Sequence, residues 1–156
     1  MRVSENVLKW AMRFYPPLFF QRIWVKKFHK GFRGVDVKIH HSILNRNYNG
    51  SIFGGTIFSA TDPFYAILFD QILKSEERKV LIWLKSAHIE YKKPARKNLN
   101  FSISITSEQI QHAKADLDNL GKHVICFEFD LFDRDGLLCA SVKNEVYIRN
   151  LNDPKY

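Results

Sequence analysis

The chain has 156 residues and a formal net charge of +8, and 46% of its residues are hydrophobic. This length and composition suit one folded domain over residues 1–156 and exclude a largely disordered chain. No apolar run reaches the roughly 20 residues that span a bilayer, and no secretory leader is recognisable, so we expect a cytoplasmic protein without stable membrane insertion.

The charge balance points to an anionic ligand, because 24 Lys and Arg outnumber 16 Asp and Glu. No zinc finger, basic helical stripe or aromatic RNA-binding motif accompanies the basic residues, so we expect no nucleic-acid partner. Cys126 and Cys139 fall in strand-like segments without metal-ligand spacing, and His40, His41 and His88 also lack it. We therefore expect reduced core thiols and no metal site.

The first 22 residues predict a helical segment. Ser4 is a suitable N-cap, the pair Pro16 and Pro17 ends the helix, and the apolar residues between them recur at helical spacing: Val7, Leu8, Ala11 and Phe14. The aromatic residues of this segment are suited either to contact a membrane interface or to pack on the protein's own sheet: Trp10, Phe14, Phe19 and Phe20. We favour packing, because amphipathic helices of globular domains usually dock on their own core.

Period-two alternation over residues 23–42 predicts one or two strands, interrupted at Gly31 and Gly34. Residues 54–73 follow a polar loop and are the most apolar segment of the chain. Their apolar side chains lie on nearly all sides of a helix, and such a helix must be covered on all sides. The segment is therefore predicted to be a central helix enclosed by other elements.

Four strand-like runs follow the central helix: residues 80–91, 99–107, 123–132 and 137–148. The last two meet at Asp133-Arg134-Asp135-Gly136, a strong hairpin signal, and residues 108–121 favour a short surface helix. Strands of ten or more residues favour a sheet that curls around a helix over a flat sandwich. The sequence thus predicts an α+β domain in which a curved antiparallel sheet wraps around the central helix.

The loop and first turns of the central helix carry the candidate catalytic groups. Gly54 and Gly55 stand at the predicted helix start, where free backbone N–H groups can polarise a carbonyl or hold an anion. Asp62 is the only charged side chain between Arg46 and Asp70, in a segment that otherwise favours burial. A carboxylate there is suited to act as a general base or a nucleophile.

The same acid also has a structural interpretation. In Thr61-Asp62-Pro63 the carboxylate is suited to cap a helix that begins at Pro63. If the helix instead runs through from Gly54, Pro63 removes the hydrogen bond to the carbonyl of Ser59 and kinks the helix beside the acid. The residue pattern alone leaves both geometries open.

This segment resembles the hotdog-fold thioesterases of the phenylacetate-degradation type. Their motif has an Asn, a Gly three residues later, His-Gly-Gly beginning three residues after that Gly, and then an Asp. The motif positions are occupied here by Asn47, Gly50, Gly54, Gly55 and Asp62. Tyr91-Lys92-Lys93-Pro94-Ala95 is similar to the Tyr-x-x-Pro-Ala turn of that family. The resemblance covers roughly residues 35–148. It is closer still to a hotdog subgroup with a domain-of-unknown-function label, which shows Phe-Gly-Gly, Asp-Pro and a strand like Trp83-Leu84-Lys85.

The resemblance implies a hotdog fold and an acyl-CoA thioesterase. In that activity the N–H of Gly54 would polarise the thioester carbonyl, Asp62 would activate water or attack, and Asn47 would help position the water. Two departures, Phe53 for the motif histidine and Leu84 where some relatives carry Ser or Thr, favour a second function. The alternative is a non-catalytic protein that binds an acyl thioester or a fatty acid.

Several further residues are expected beside the substrate: Gly55, Asn49 and Phe53. The basic cluster Lys92, Lys93, Arg96 and Lys97 either meets the phosphates of coenzyme A or forms a solvated turn. Coenzyme A enters as part of the substrate, and no separate cofactor is expected.

Lys85 is predicted to share a strand face with Leu81, Trp83, Ala87 and Ile89. It is either a surface residue or an ion-pair partner of Asp62 or Glu145. An open sheet edge predicts a homodimer or higher homo-oligomer with strands paired across a two-fold axis.

Overall fold

The computed structural model describes residues 3–152, so the ends of the predicted domain, residues 1–2 and 153–156, lie outside the described residues. The strands are β1 Ile23–Phe28, β2 Gly34–Ile39, β3 Val80–Tyr91, β4 Leu99–Ser104, β5 Lys122–Asp133 and β6 Leu138–Asn150. They form one antiparallel sheet in the order β1-β2-β4-β5-β6-β3. The predicted curved antiparallel sheet is confirmed.

The helices are α1 Glu5–Phe14, α2 Pro16–Phe19, α3 Gly54–Thr61, α4 Pro63–Lys74 and α5 Ser107–Leu120. Helices α3 and α4 together form the predicted central helix. Strand β4 ends earlier than predicted, because Thr106 and Gln109 form a capping box that starts α5. No helix in the described part of the chain is long and apolar enough to cross a membrane.

The central helix packs on the inner face of the sheet. Phe64, Leu68 and Phe69 are fully buried, and the ring of Tyr65 stacks on Phe127 of β5 with centroids 3.7 Å apart. Burial of each such Phe or Leu stabilises the fold by about 1.5–3 kcal/mol before entropic costs. The packing of this helix against the sheet therefore fixes where its N-terminal end lies.

Helix α1 docks beside the sheet, as predicted, but through other residues. Met12 is the residue of α1 that is buried, and Leu8 packs partly against the core. Val7, Ala11 and Phe14, which the pattern placed on the docking face, are exposed. The predicted face is wrong because α1 carries apolar residues on two sides, and contacts with the core select the side of Leu8 and Met12.

The two edges of the sheet differ in how they are protected. At the β1 edge, Arg13 of α1 donates from Nε to the carbonyl of Val25 at 2.8 Å and from Nη2 to that of Lys26 at 3.4 Å. At the other edge no residue of β3 is buried, and no strand of the described chain pairs with its outer side. Unpaired edges recruit further strands, so β3 is the edge open to association.

Strand β3 contains a bulge. The register with β6 shifts between Leu84 and Ser86, so Lys85 is the extra residue. A bulge reverses the side-chain alternation beyond it. The prediction that Lys85 shares one face with Ala87 and Ile89 is therefore wrong, since Ile89 packs against the core and Lys85 is exposed.

Strands β5 and β6 join through the predicted hairpin. The carboxylate of Asp133 accepts from the N–H of Asp135 at 2.9 Å, and Gly136 has a φ of +84°, which glycine adopts without strain. Cys139, early in β6, is buried as predicted, whereas Cys126 is exposed. Cys126 is therefore not a core thiol, because its position in the alternation of β5 places it on the outer face.

Candidate functional site

The polar loop before α3 contains Asn47 and Asn49. The Oδ1 of Asn47 accepts from the N–H of Asn49 at 3.0 Å, from the N–H of Ser51 at 3.1 Å and from its hydroxyl at 3.2 Å. The Nδ2 of Asn47 has no acceptor within residues 3–152. Asn47 thus folds the loop with its oxygen and leaves an amide donor free, while Asn49 lies exposed in the loop.

Helix α3 begins with two free backbone donors. The N–H groups of Thr56 and Ile57 donate to the carbonyl of Phe53 at 2.9 and 3.2 Å. The N–H groups of Gly54 and Gly55 have no acceptor in the described part of the chain. Both lie at the positive end of the helix dipole, so the pair is suited to bind a carbonyl oxygen or an anion.

Two aromatic rings lie against these glycines. A Cβ at Gly54 would stand 3.0 Å from the Oη of Tyr91, which donates to the Gly54 carbonyl at 3.0 Å. A Cβ at Gly55 would stand 2.4 Å from Cε1 of Phe53, so a larger residue at Gly55 would displace that ring. Phe53, which stands at the motif histidine, is 57% exposed and offers no polar side-chain atom at this end of the helix.

One cavity of about 330 Å³ brings the loop and the helix start together. It is lined by Asn47, Ser51, Ile52, Gly54, Ile57, Tyr91, Lys92, Lys93, Pro94 and Ala95. The N–H of Ile52 donates to the carbonyl of Ala95 at 2.8 Å and joins the two chain segments. Four predicted site residues therefore share this cavity, namely Asn47, Gly54, Lys92 and Lys93. The other predicted residues do not line it: Gly55, Asn49, Phe53, Asp62, Arg96 and Lys97.

The four predicted basic residues separate into two kinds. Lys92 and Lys97 each pair with a neighbouring carboxylate. Lys93 and Arg96 form no ion pair with an acid of residues 3–152. Lys93 and Arg96 are therefore the cations of this cluster that are available to an anionic ligand.

The central helix runs through Asp62. Its φ of −68° and ψ of −57° are helical, its N–H donates to the carbonyl of Phe58 at 3.1 Å, and its side chain caps no N–H. The N-cap interpretation is therefore wrong, and the interruption is at Pro63, which lacks an N–H for the helical ladder. The Asp62 carboxylate has no hydrogen-bond or ion-pair partner in the described chain. Of the two acids predicted as partners of Lys85, Glu145 pairs with it, at 2.9 Å.

Partial burial raises the pKa of the Asp62 carboxyl, because desolvation disfavours the charged form. An unpaired carboxylate with a raised pKa is suited to accept a proton from water. The helix rise from residue 54 to residue 62 is about 12 Å, so Asp62 lies far from the N–H groups of Gly54 in its own chain.

We expect Asp62→Asn to raise the melting temperature slightly at neutral pH. The folded-state pKa of Asp62 lies above its ordinary value of 3.8, so the folded protein holds this proton more tightly than the unfolded chain. The resulting loss of unfolding free energy is absent at pH values below 3.8 and fully present at pH values above the raised folded-state pKa. Thermal unfolding across a pH series should show the variant's gain growing as pH rises, and a melting temperature unchanged or lowered at neutral pH would contradict this.

Two buried polar residues that hold the site were not identified from the sequence. Asn45 donates from Nδ2 to the carbonyls of Gln21 and His40, both at 2.8 Å, and anchors the loop. Asn144 of β6 is fully buried and donates to the carbonyl of Thr61 at 2.8 Å. A polar residue at an inward strand position was the available signal for Asn144, because buried polar groups require partners.

Comparison with known proteins places the chain in a family. Residues 4–148 match the family described as domain of unknown function DUF4442. No curated protein matches the chain. A solved protein of unknown function from Pseudomonas aeruginosa has a TM-score of 0.80 at 15% identity, with 96% of this chain and 98% of that chain covered.

Two further structures carry names. A thioesterase from Haemophilus influenzae has a TM-score of 0.70 at 10% identity, with 100% of this chain and 97% of that one covered. The PaaI protein of the E. coli phenylacetic acid degradation operon has a TM-score of 0.63 at 12% identity, with 96% and 97% covered. These likenesses establish the fold that the sequence motif predicted. The chain thus has the hotdog fold and belongs to the DUF4442 family.

Proposed function

We propose that the protein is a thioesterase that hydrolyses an acyl-CoA. The observation that carries this proposal is the pair of free N–H groups at Gly54 and Gly55, because they begin a helix whose next charged residue is the unpaired Asp62. Asn47 lines the same cavity as Gly54 and has a free amide donor. Such a set supplies what acyl transfer needs, an oxyanion donor and a base.

The proposed reaction proceeds by attack of water. The N–H of Gly54 donates to the thioester carbonyl oxygen and stabilises the negative charge that develops there. The Asp62 carboxylate takes a proton from water, whose oxygen bonds to the carbonyl carbon. The C–S bond then breaks, and the thiolate of coenzyme A leaves and takes up the proton. Asn47 Nδ2 donates to the carbonyl or the attacking water. In the nucleophilic variant, the Asp62 carboxylate attacks the carbonyl carbon, the C–S bond breaks and the thiolate of coenzyme A leaves. Water then hydrolyses the resulting mixed anhydride, which releases the free acid and regenerates the Asp62 carboxylate.

The geometry favours a site shared between two copies of the chain. A thioester carbonyl within about 3 Å of the Gly54 N–H cannot also lie beside Asp62 of the same helix, since about 12 Å separates them. In the proposed dimer, a two-fold axis would bring the helix start of one protomer to the Asp62 carboxylate of its partner. The open β3 edge supports such a dimer, because an unpaired strand can continue the sheet into a second copy.

Lys93 and Arg96 would then meet the phosphates of coenzyme A. We expect the double substitution Lys93→Gln and Arg96→Gln to raise KM for an acyl-CoA about tenfold, through loss of two charge-assisted contacts. The value of kcat should change little, because the phosphates take no part in the bonds that form or break and are bound equally in the ground state and the transition state. Steady-state kinetics at low and high salt would measure both constants.

The matched control removes the two lysines that are already paired. Lys92→Gln with Lys97→Gln removes the same charge from the same turn but should change KM by less than about threefold. If this control raised KM as much as the test pair, the assignment of Lys93 and Arg96 would fail. A fall in kcat of the test pair at unchanged KM would also contradict it.

A second function, binding of an acyl thioester or fatty acid without hydrolysis, is favoured by Phe53. Its ring lies against Gly55 where the motif places a histidine, and it provides no polar atom to hold water. Release of free thiol from a panel of acyl-CoAs by the purified protein separates the two functions. Hydrolysis that depends on Asp62 supports the enzyme, whereas native mass spectrometry that finds a stable acyl-CoA complex without turnover supports the binding protein.

A further inference from the structure

The N-terminal segment presents to solvent four aromatic rings in successive contact: Trp10, Phe14, Phe19 and Phe20. The ring centroids of Trp10 and Phe14 are 6.0 Å apart, those of Phe14 and Phe19 are 6.2 Å apart, and those of Phe19 and Phe20 are 5.5 Å apart. Trp10 is 45% exposed, Phe14 63% and Phe20 66%. We call these four residues the aromatic ladder. Contiguous exposed apolar surface of this kind marks an interaction site.

The ladder is exposed although α1 is docked. Helix α1 packs on the core with Leu8 and Met12. Val7, Trp10 and Phe14 are spaced three and four residues apart, so they form a second apolar stripe that faces away from the core. The fold therefore buries only the stripe that contains Leu8 and Met12. The stripe of Val7, Trp10 and Phe14 remains exposed and available to a partner.

The positive charge of the sequence is concentrated in its first 40 residues. Residues 1–40 contain nine Lys and Arg against two acids, so they carry +7 of the total charge of +8. Around the ladder, Lys9 Nζ lies 5.4 Å from the ring centroid of Trp10, and the guanidinium of Arg13 lies 4.5 Å from the same ring. The apolar surface is thus bordered by cations.

A cavity of about 340 Å³ opens at the end of the ladder. It is lined by Phe19, Arg22, Trp24 and His40. Arg22 is part of the cavity wall, and Lys38 stands opposite the lining residue Trp24 in the β1–β2 register. The pKa of His40 is lowered by burial first and then by the charges of Lys38 and Arg22. Arg22 and Lys38 form no ion pair with an acid among residues 3–152. The cavity is suited to an anionic group held beside apolar chains.

We propose that the aromatic ladder and its surrounding cations bind the surface of an anionic lipid bilayer. The rings would enter the boundary between headgroups and acyl chains, and Arg22 and Lys38 would contact lipid phosphates. A second copy of this chain is the less favourable occupant, because two such surfaces would bring the cations beside the ladder, Lys9, Arg13 and Arg22, face to face. The proposal is independent of the thioesterase activity, since none of these residues lines the cavity at Gly54.

Co-sedimentation of the full chain with vesicles tests the proposal. The probes are vesicles of phosphatidylcholine alone and of phosphatidylcholine with phosphatidylserine. We expect binding to the anionic vesicles to be at least about tenfold stronger, and to weaken as salt screens the cations. Equal binding to both vesicles, or binding to neither, would overturn the proposal.

Substitutions locate the surface. Trp10→Ser with Phe14→Ser should lower binding to anionic vesicles by about tenfold or more, because two interfacial aromatic anchors are lost. Arg22→Gln with Lys38→Gln should lower it by about fivefold through loss of two cations near the surface.

Matched controls lie elsewhere on the protein. Leu120→Ser with Leu137→Ser removes two exposed apolar side chains, and Arg134→Gln with Lys143→Gln removes two exposed cations. Both control pairs should bind as the wild type does, and an equal loss in either would overturn the proposal. A different result is a wild type that binds no vesicles and yet self-associates in light scattering. If the Trp10→Ser, Phe14→Ser variant then lost that self-association, the surface would be assigned to a second copy of the chain instead.

Discussion

Replacing Asp62 with Asn is expected to lower kcat for acyl-CoA hydrolysis by about 10²–10⁴-fold, which is the range that general base catalysis contributes. Asn keeps the shape of the side chain but cannot take a proton from water or attack a carbonyl. The wild-type carboxylate is unpaired in the described chain, and burial raises its pKa. The variant should remain folded, so its loss of activity would report on the chemical step.

Asp70→Asn is the control for this substitution. Asp70 lies in α4 of the same central helix and pairs with Lys74 at 2.9 Å on the surface. Its loss should leave kcat within about twofold of the wild type, because an exposed pair contributes little. Equal rates from the wild type and Asp62→Asn would remove Asp62 from the mechanism and leave the binding function as the better proposal.

The fold was predictable where the sequence has regular periodicity. The alternation in β2, the apolar segment that became α3 and α4, and the hairpin at Asp133 each follow from local residue pattern. The docking face of α1 was not predictable in this way, because Leu8 with Met12 and Val7 with Phe14 both fit one helical period. Only contacts with β1 and the core distinguish them.

The candidate site was likewise predictable only in part from the sequence. Gly54 and Asp62 lie in one continuous segment, so its residue pattern and its resemblance to a known motif could predict them as candidates. The contact of Tyr91 with Gly54 joins residues 37 positions apart in the chain, and no local pattern reports it. The bulge at Lys85 also escaped prediction, because one inserted residue changes the face of every later side chain without changing composition.

Mixing two inactive variants is expected to restore activity if the site is shared between protomers. The first variant is Asp62→Asn, which lacks the carboxylate. The second is Gly54→Val, whose Cβ would stand 3.0 Å from Tyr91 Oη, so its branched side chain would crowd the cavity wall beside the N–H donor. Each homodimer then has two defective sites, and each heterodimer has one doubly defective site and one intact site.

Random assortment makes half of the dimers heterodimers, so co-refolded equimolar variants should recover about one quarter of the wild-type rate. Mixing Asp62→Asn with itself controls for the refolding procedure and should recover nothing. If Gly54 and Asp62 acted on one thioester within a single chain, every dimer in the mixture would lack an intact site and no activity would return. Recovery would therefore support both residues and the dimer at once, because about 12 Å of helix prevents one chain from supplying both groups.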